Sequence, residues 1–147
     1  MRTSNSKWWV PGSGGPTILI VSAILVLIFQ LAIAQTSPWT APKDADNLKN
    51  PYADNPGALS DAKNLYTANC GPCHGDKGKG DGPAAAGLNP KPADHTSANV
   101  QKQTDGAIFW KLSEGRAPMP GYKKIFSEQQ RWQLVSYIRT LGKQKKK

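Results

Sequence analysis

The only two cysteines in the 147-residue chain stand three positions apart, in the run Cys70-Gly71-Pro72-Cys73-His74. Two cysteines are too few for a disulfide framework or a multi-zinc module. A thioredoxin-like C-x-x-C follows a strand and opens a helix in βαβ architecture. Here a helical pattern precedes the pair, and the β-branched runs of a sheet are absent. A structural zinc site needs four ligands, and only Cys70, Cys73, His74 and His95 are on offer, two of them adjacent. C-x-x-C-H is a pattern for covalent haem attachment. Two thiols at this spacing on a tight turn reach two neighbouring vinyl groups, and the next residue offers an imidazole to the iron. Both cysteines are consumed as thioethers, so an exported chain with just two needs no disulfide.

The sixth iron position needs a second ligand. Apart from Met1 the chain has one methionine, Met119, between Pro118 and Pro120. Flanking prolines place it in a rigid extended loop and not on a core-facing helix. A thioether is neutral at every pH and binds ferrous and ferric iron alike, and His/Met ligation raises the reduction potential. His95 is the competitor, but it sits in the polar run Lys91-Pro92-Ala93-Asp94-His95-Thr96. A solvated or locally hydrogen-bonded histidine is the expectation there. Arg116, Trp110 and Tyr122 are weaker candidates for contact with a haem propionate, and Trp132 reads as core packing.

Residues 17–34 are uncharged and almost wholly apolar, with Arg2 and Lys7 and no acid before them. That asymmetry keeps the N-terminus in the cytoplasm and exports the rest. Eighteen helical residues span about 27 Å, close to a ~30 Å hydrocarbon core, and Trp8, Trp9 and Trp39 flank the segment as interfacial anchors would. Ala32-Ile33-Ala34 also has the small-residue pattern of a signal-peptidase site. A retained transmembrane anchor and a removed signal both stay open; either way the remainder faces the exported side.

The formal charge of +9 suggests a nucleic-acid binder, but its distribution argues otherwise. Residues 35–138 hold 12 basic and 10 acidic side chains, without a basic stripe interleaved with aromatics. Much of the excess lies in Lys143, Lys145, Lys146 and Lys147, a solubilising tail or a docking patch for an acidic partner or anionic lipid. No nucleic-acid partner is expected. The organisation read from the chain is a leader at 1–16, an anchor or signal at 17–34, a Pro-rich linker at 35–57, a haem domain at 58–142 and a basic tail at 143–147.

Four stretches carry a family resemblance: Leu65 to Gly75 around the pentad, Gly78-Lys79-Gly80-Asp81-Gly82-Pro83, Pro118-Met119-Pro120, and Trp132 to Arg139. From about Asn50 to Gly142 the chain resembles class I monohaem c-type cytochromes. It looks especially like membrane-attached or respiratory-complex-bound types, such as the monohaem cytochrome subunit of alternative complex III. The resemblance implies an all-α cytochrome c fold, three to four helices around one covalently attached haem c. It implies Cys70 and Cys73 as attachment points and His74 and Met119 as iron ligands. It also implies electron transfer and not catalysis, between redox protein partners at the periplasmic or exoplasmic side of an inner membrane. A haem peroxidase or gas sensor with a displaceable sixth ligand is the alternative.

Local signals agree with that fold. Ser60 is placed to cap a helix running through Tyr66, with Asp61 in its first turn. Thr104 or Asp105 caps a second over Ala107–Glu114, stopped by Gly115. Ser127 and Gln130 form a capping box for a third, in which Leu134, Ile138 and Leu141 make one apolar stripe. By resemblance the first and last helices cross, with Ala62 and Tyr66 facing Leu134 and Tyr137. Residues 75–103 read as a long Gly/Pro/Asn-rich loop wrapping the porphyrin. A carbonyl of this loop, near Ala86–Leu88, is expected to accept the free N–H of His74.

Overall fold

The capping box forms as expected: Ser127 N–H donates to Gln130 Oε1 at 2.9 Å, and Gln130 N–H donates to Ser127 Oγ at 3.1 Å. Two otherwise orphaned donors are thereby satisfied where the last helix begins. The computed structural model describes residues 38–53 and 55–144. The expected anchor or signal at 17–34, the Ala32–Ala34 pattern and Lys145–Lys147 lie outside those residues. Among the described residues, no helix is long and apolar enough to cross a membrane.

Five helices make up the described chain: α1 (Ala58–Asn69), α2 (Gly71–His74), α3 (Ala98–Gln101), α4 (Asp105–Glu114) and α5 (Glu128–Gln144). Short 3-10 turns occupy Lys43–Asn47 and Ala85–Gly87, and no strand is present among the described residues. The sole departure from helix and loop there is an isolated antiparallel bridge between Arg116 and Met119.

Helix α1 starts three residues earlier than its side chains suggest. The carbonyls of Asn55 and Pro56 accept the Ala58 and Leu59 N–H groups at 3.3 and 3.1 Å, so a backbone turn opens the helix. Ser60 therefore lies inside the first turn and is not the cap. Helix α4 follows the expectation: Thr104 Oγ1 accepts from Ala107 N–H at 3.0 Å, and Gly115 ends the helix with φ 69°.

Helices α1 and α5 pack face to face through Ala62 and Tyr66 on one side and Leu134, Tyr137 and Leu141 on the other. Ala62, Tyr66, Leu134 and Val135 have no exposed surface, and the Tyr66 and Tyr137 rings meet at 5.1 Å between centroids. Each buried Leu or Val contributes about 1.5–3 kcal/mol. The missing side-chain bulk at Ala62 lets the backbones approach. On its other flank α5 meets α4, where Trp132 stacks on Phe109 at 3.9 Å and the Arg131 guanidinium lies 4.7 Å from the Phe109 centroid. Trp132 is core, as its pattern implied.

Part of the Pro-rich 35–57 segment is fastened to the domain. Asn50 Nδ2 donates to Asp105 Oδ2 at 3.1 Å and to Ser136 Oγ at 2.9 Å, and Ser136 Oγ donates to the Tyr52 carbonyl at 2.9 Å. Gly106 is required beneath this strap, because a Cβ there would stand 1.9 Å from the Ala45 carbonyl oxygen. Arg139 closes the same corner, with Nε 2.7 Å from Asp105 Oδ1 and Nη1 3.0 Å from the Gln101 carbonyl.

Candidate functional site: the Cys70–His74 turn and the loops around it

Helix α1 ends where Cys70 N–H donates to the Tyr66 carbonyl at 2.7 Å, and the chain turns at once into α2. Pro72 in the first turn of α2 is compatible with that entry, since its missing N–H falls among the donors a helix start leaves free. Cys73 N–H and His74 N–H both reach back to the Cys70 carbonyl, at 3.1 and 2.8 Å. Cys70, Cys73 and His74 therefore share one tight turn. No disulfide joins the two sulfurs. Cys70 is buried, and burial together with the neighbouring Cys73 pushes its thiol up to about 12, so it is neutral at physiological pH.

The last three carbonyls of the motif are claimed in register by the next loop. Ala84, Gly82 and Gly80 N–H groups donate to the carbonyls of Pro72, Cys73 and His74 at 2.9, 3.1 and 2.8 Å. Glycine is needed at position 80 for two reasons: its φ is 75°, and a Cβ would meet the Pro92 carbonyl oxygen at 2.4 Å.

His74 is buried, and its Nδ1 lies 2.9 Å from the carbonyl oxygen of Ala93. A carbonyl can only accept, so Nδ1 carries the proton and Nε2 keeps its lone pair. Burial lowers the His74 pKa, opposed by that hydrogen bond, and the ring is held neutral. The accepting carbonyl is thus Ala93 and not one near Ala86–Leu88. The reason is local: the Ala85 and Ala86 carbonyls take the Lys91 ammonium at 3.2 and 2.7 Å, while residues 80–84 serve the motif backbone. Only after Asn89-Pro90 does the chain return toward His74.

His95 is not a solvated loop residue. Its ring stacks on that of His74, with centroids 4.1 Å apart and planes 18° from parallel, and its Nδ1 lies 2.9 Å from the Tyr66 hydroxyl. The two imidazoles are thus in face-to-face contact. Burial, then the neighbouring His74, lowers the His95 pKa to about 3 against the pull of Asp94.

Met119 closes a tight loop between α4 and α5. Arg116 and Met119 exchange backbone hydrogen bonds at 3.0 and 2.9 Å, and the half-buried Met119 packs against the core that contains Cys70. Tyr122, three residues on, ties this loop to the cysteine turn: its hydroxyl donates to the Asn69 carbonyl at 3.2 Å. Burial, then Cys70 and Cys73, raises its phenol to about 12. That hydroxyl is committed to the end of α1, which weakens Tyr122 as a propionate partner. Arg116 and Trp110 are both half-buried. Sequence reasoning missed Ala93, because a backbone carbonyl carries no side-chain signal, and it missed the Tyr66–His95 pair, whose members lie 29 positions apart.

The family model for cytochrome c matches residues 59–142, more than half of the chain. No curated protein sequence matches. Among solved structures, a chain of the reducing HAO-like protein complex of Kuenenia stuttgartiensis is similar, with a TM-score of 0.53 and 27% identity. The match covers 64% of this chain and 46% of that one, so this chain spans less than half the length of its structural neighbour. The residues suit the family's cofactor: two uncrosslinked thiols on one turn, and beside them a neutral histidine whose Nδ1–H is already spent on Ala93. A helical fold, a haem-attachment pentad held in that geometry and the match over residues 59–142 converge on one assignment: the chain belongs to the cytochrome c family and carries covalently bound, iron-containing haem c.

Proposed function

We propose that this protein transfers single electrons through one haem c ligated by His74 and Met119 and attached at Cys70 and Cys73. When bound, the haem supplies one iron that alternates between ferric and ferrous states. Cys70 and Cys73 fix the cofactor in one orientation, so no binding step accompanies electron exchange. His74 presents Nε2, and the Ala93 carbonyl fixes its tautomer and increases its basicity. Met119 offers an uncharged sulfur that suits both oxidation states, so little rearranges when charge moves. The observation that carries the reading is the His74–Ala93 hydrogen bond, since it prepares an imidazole nitrogen on the same turn as two cysteines that no disulfide joins.

The reading extends to a class I, monohaem protein that is a membrane-attached subunit or shuttle of a bacterial respiratory or photosynthetic chain. Its haem domain faces the periplasmic or exoplasmic side and exchanges electrons with protein partners. The apolar 17–34 segment with its basic leader supports the attachment. The structural neighbour, itself part of a protein complex, supports partner subunits. The lysines at 143 and 145–147 suit an acidic partner or anionic lipid.

The test is spectroscopic. The ferric protein should show a methionine–iron charge-transfer band that disappears in Met119→Ala, and the ferrous form should resist CO. Absence of the band, with rapid CO or cyanide binding to the unmodified protein, would establish the peroxidase or gas-sensor alternative instead. Purification from membranes in mild detergent, with haem staining and identification of the accompanying subunits, tests attachment and partners together.

A further inference from the structure

His95 is held more tightly than any side chain of the surrounding loop needs to be. Its N–H donates to the Gly78 carbonyl at 2.7 Å, and its own carbonyl accepts from Gln101 Nε2 at 2.6 Å. The Tyr66 hydroxyl donates to the Gly75 carbonyl at 3.4 Å and stands in hydrogen-bond contact with Nδ1 of His95 at 2.9 Å. Tyr66 itself is fully buried in the α1–α5 contact, and its ring meets the His95 ring edge-on at 5.7 Å. The ring is thereby pinned to α1 through Tyr66, and its backbone is pinned to α3 through Gln101. Space for that ring is kept by Gly78, where a Cβ would stand 3.1 Å from the Cβ of His95. Filling this place with a polar ring costs desolvation that a leucine would avoid, and the Tyr66 bond offsets it. What the ring delivers is a fixed flat surface against the face of His74.

We propose that His95 is a positioning residue for the imidazole of His74, acting through the contact between the two rings. Ala93 and His95 are two positions apart, and they restrain different motions of one side chain. The Ala93 carbonyl grips the His74 ring at its edge, in the ring plane, while the His95 ring lies against its face. The edge contact is a directional hydrogen bond that weakens steeply when the donor leaves the line of the acceptor. The face contact keeps the ring from swinging out of that line. A ligand held by supporting residues stays close to its productive geometry and keeps a constant basicity. The proposal rests on His74 being an iron ligand.

The test uses the full-length holoprotein and compares His95→Ala, His95→Phe and Tyr66→Phe by reduction potential and by the g-values of the ferric low-spin EPR signal. His95→Ala should shift the g-values and move the potential to more positive values, because a loosened His74–Ala93 bond makes the imidazole a weaker donor to ferric iron. His95→Phe restores an aromatic face and should recover most of both shifts. Tyr66→Phe frees the His95 ring and should give a smaller shift of the same sign. A merely structural role would lower the melting temperature and leave g-values and potential unchanged, and that result in His95→Ala overturns the proposal. Should His95→Ala fail to accumulate, Tyr66→Phe decides in the same way. The ligand assignment is read separately, from His74→Gly. Loss of the low-spin signal, with recovery on adding imidazole, supports it. An unaltered signal without imidazole removes His74 as ligand, and the positioning role with it.

Discussion

Two loops bring candidate ligands to the site, and they are built differently. The segment from Gly75 to Thr96 meets the His74 turn at five places: Gly80, Gly82 and Ala84 hold the motif carbonyls, Ala93 holds the imidazole, and His95 covers its face. The segment from Gly115 to Tyr122 is closed at its base, where Tyr122 N–H donates to the Leu112 carbonyl at 3.0 Å and its hydroxyl to the Asn69 carbonyl, while Met119 itself is held by a reciprocal pair of backbone bonds to Arg116 and a half-buried packing contact. Bonds spread along a loop let no single link move alone, whereas a loop bonded at its base and bridged once near its tip can open at the tip without unfolding the domain. The histidine side is therefore the rigid half of the site and the methionine side the labile half.

The largest effect should come from removing what both halves depend on. Cys70→Ala combined with Cys73→Ala should prevent accumulation of folded protein, because a domain of this size needs the cofactor to complete its core. A soluble, haem-free double variant with native helical circular dichroism would contradict this. Next in size, Gly80→Ala tests the rigid half. It puts a side chain at φ 75° and 2.4 Å from the Pro92 oxygen, in a backbone turn with no freedom to move away. Denaturant unfolding should show a loss of about 2–4 kcal/mol. A loss below about 0.5 kcal/mol would mean that the Gly80–Pro92 approach is soft.

Met119→Ala tests the labile half and should invert the pattern. A half-buried side chain costs only about 1 kcal/mol to truncate, yet the ferrous protein should bind CO at least about tenfold faster, since the sixth position opens. Stopped-flow CO binding set beside a melting curve separates the two quantities. A large drop in stability with no gain in CO binding would erase the contrast between the halves.

The smallest effect concerns the Tyr122 link between Met119 and the cysteine turn. Burial raises its phenol from 10.0 to about 12, so the unfolded chain loses that proton first as pH rises. Its contribution is complete below about pH 10 and is lost progressively as pH climbs toward about 12. Tyr122→Phe should therefore flatten the alkaline limb of the stability curve, at a cost of about 1 kcal/mol at neutral pH for the bond to Asn69. Parallel curves for the two proteins between about pH 9 and 12 would show that the phenol is not buried in solution.

The same contrast explains what could be read ahead of the fold. Helix α5 announced itself because its signals are local: Ser127 and Gln130 are three positions apart, and Leu134, Ile138 and Leu141 recur with the helical period. Thr104 and Gly115 bounded α4 for the same reason. Ser60 misled, since the carbonyls of Asn55 and Pro56 opened α1 before a side-chain cap was needed. The Gly75–Thr96 loop was opaque. Its order is carried by backbone donors and acceptors that every residue possesses, and the α3 helix that follows it is too short to leave a period. The strap from Lys43 to Tyr52 was opaque too, because proline-rich composition describes a free chain and says nothing of the Asp105 and Ser136 groups that receive it.

Sequence alone determined the chemistry: a Cys-x-x-Cys-His run, one interior methionine between prolines, and capped amphipathic helices all act over a few positions, and covalent spacing fixes them before any folding. Tertiary structure decided how the histidine is held. The Ala93 oxygen and the His95 ring reach His74 across 19 and 21 positions of chain, and only packing of the intervening loop against α1 and α5 brings them there.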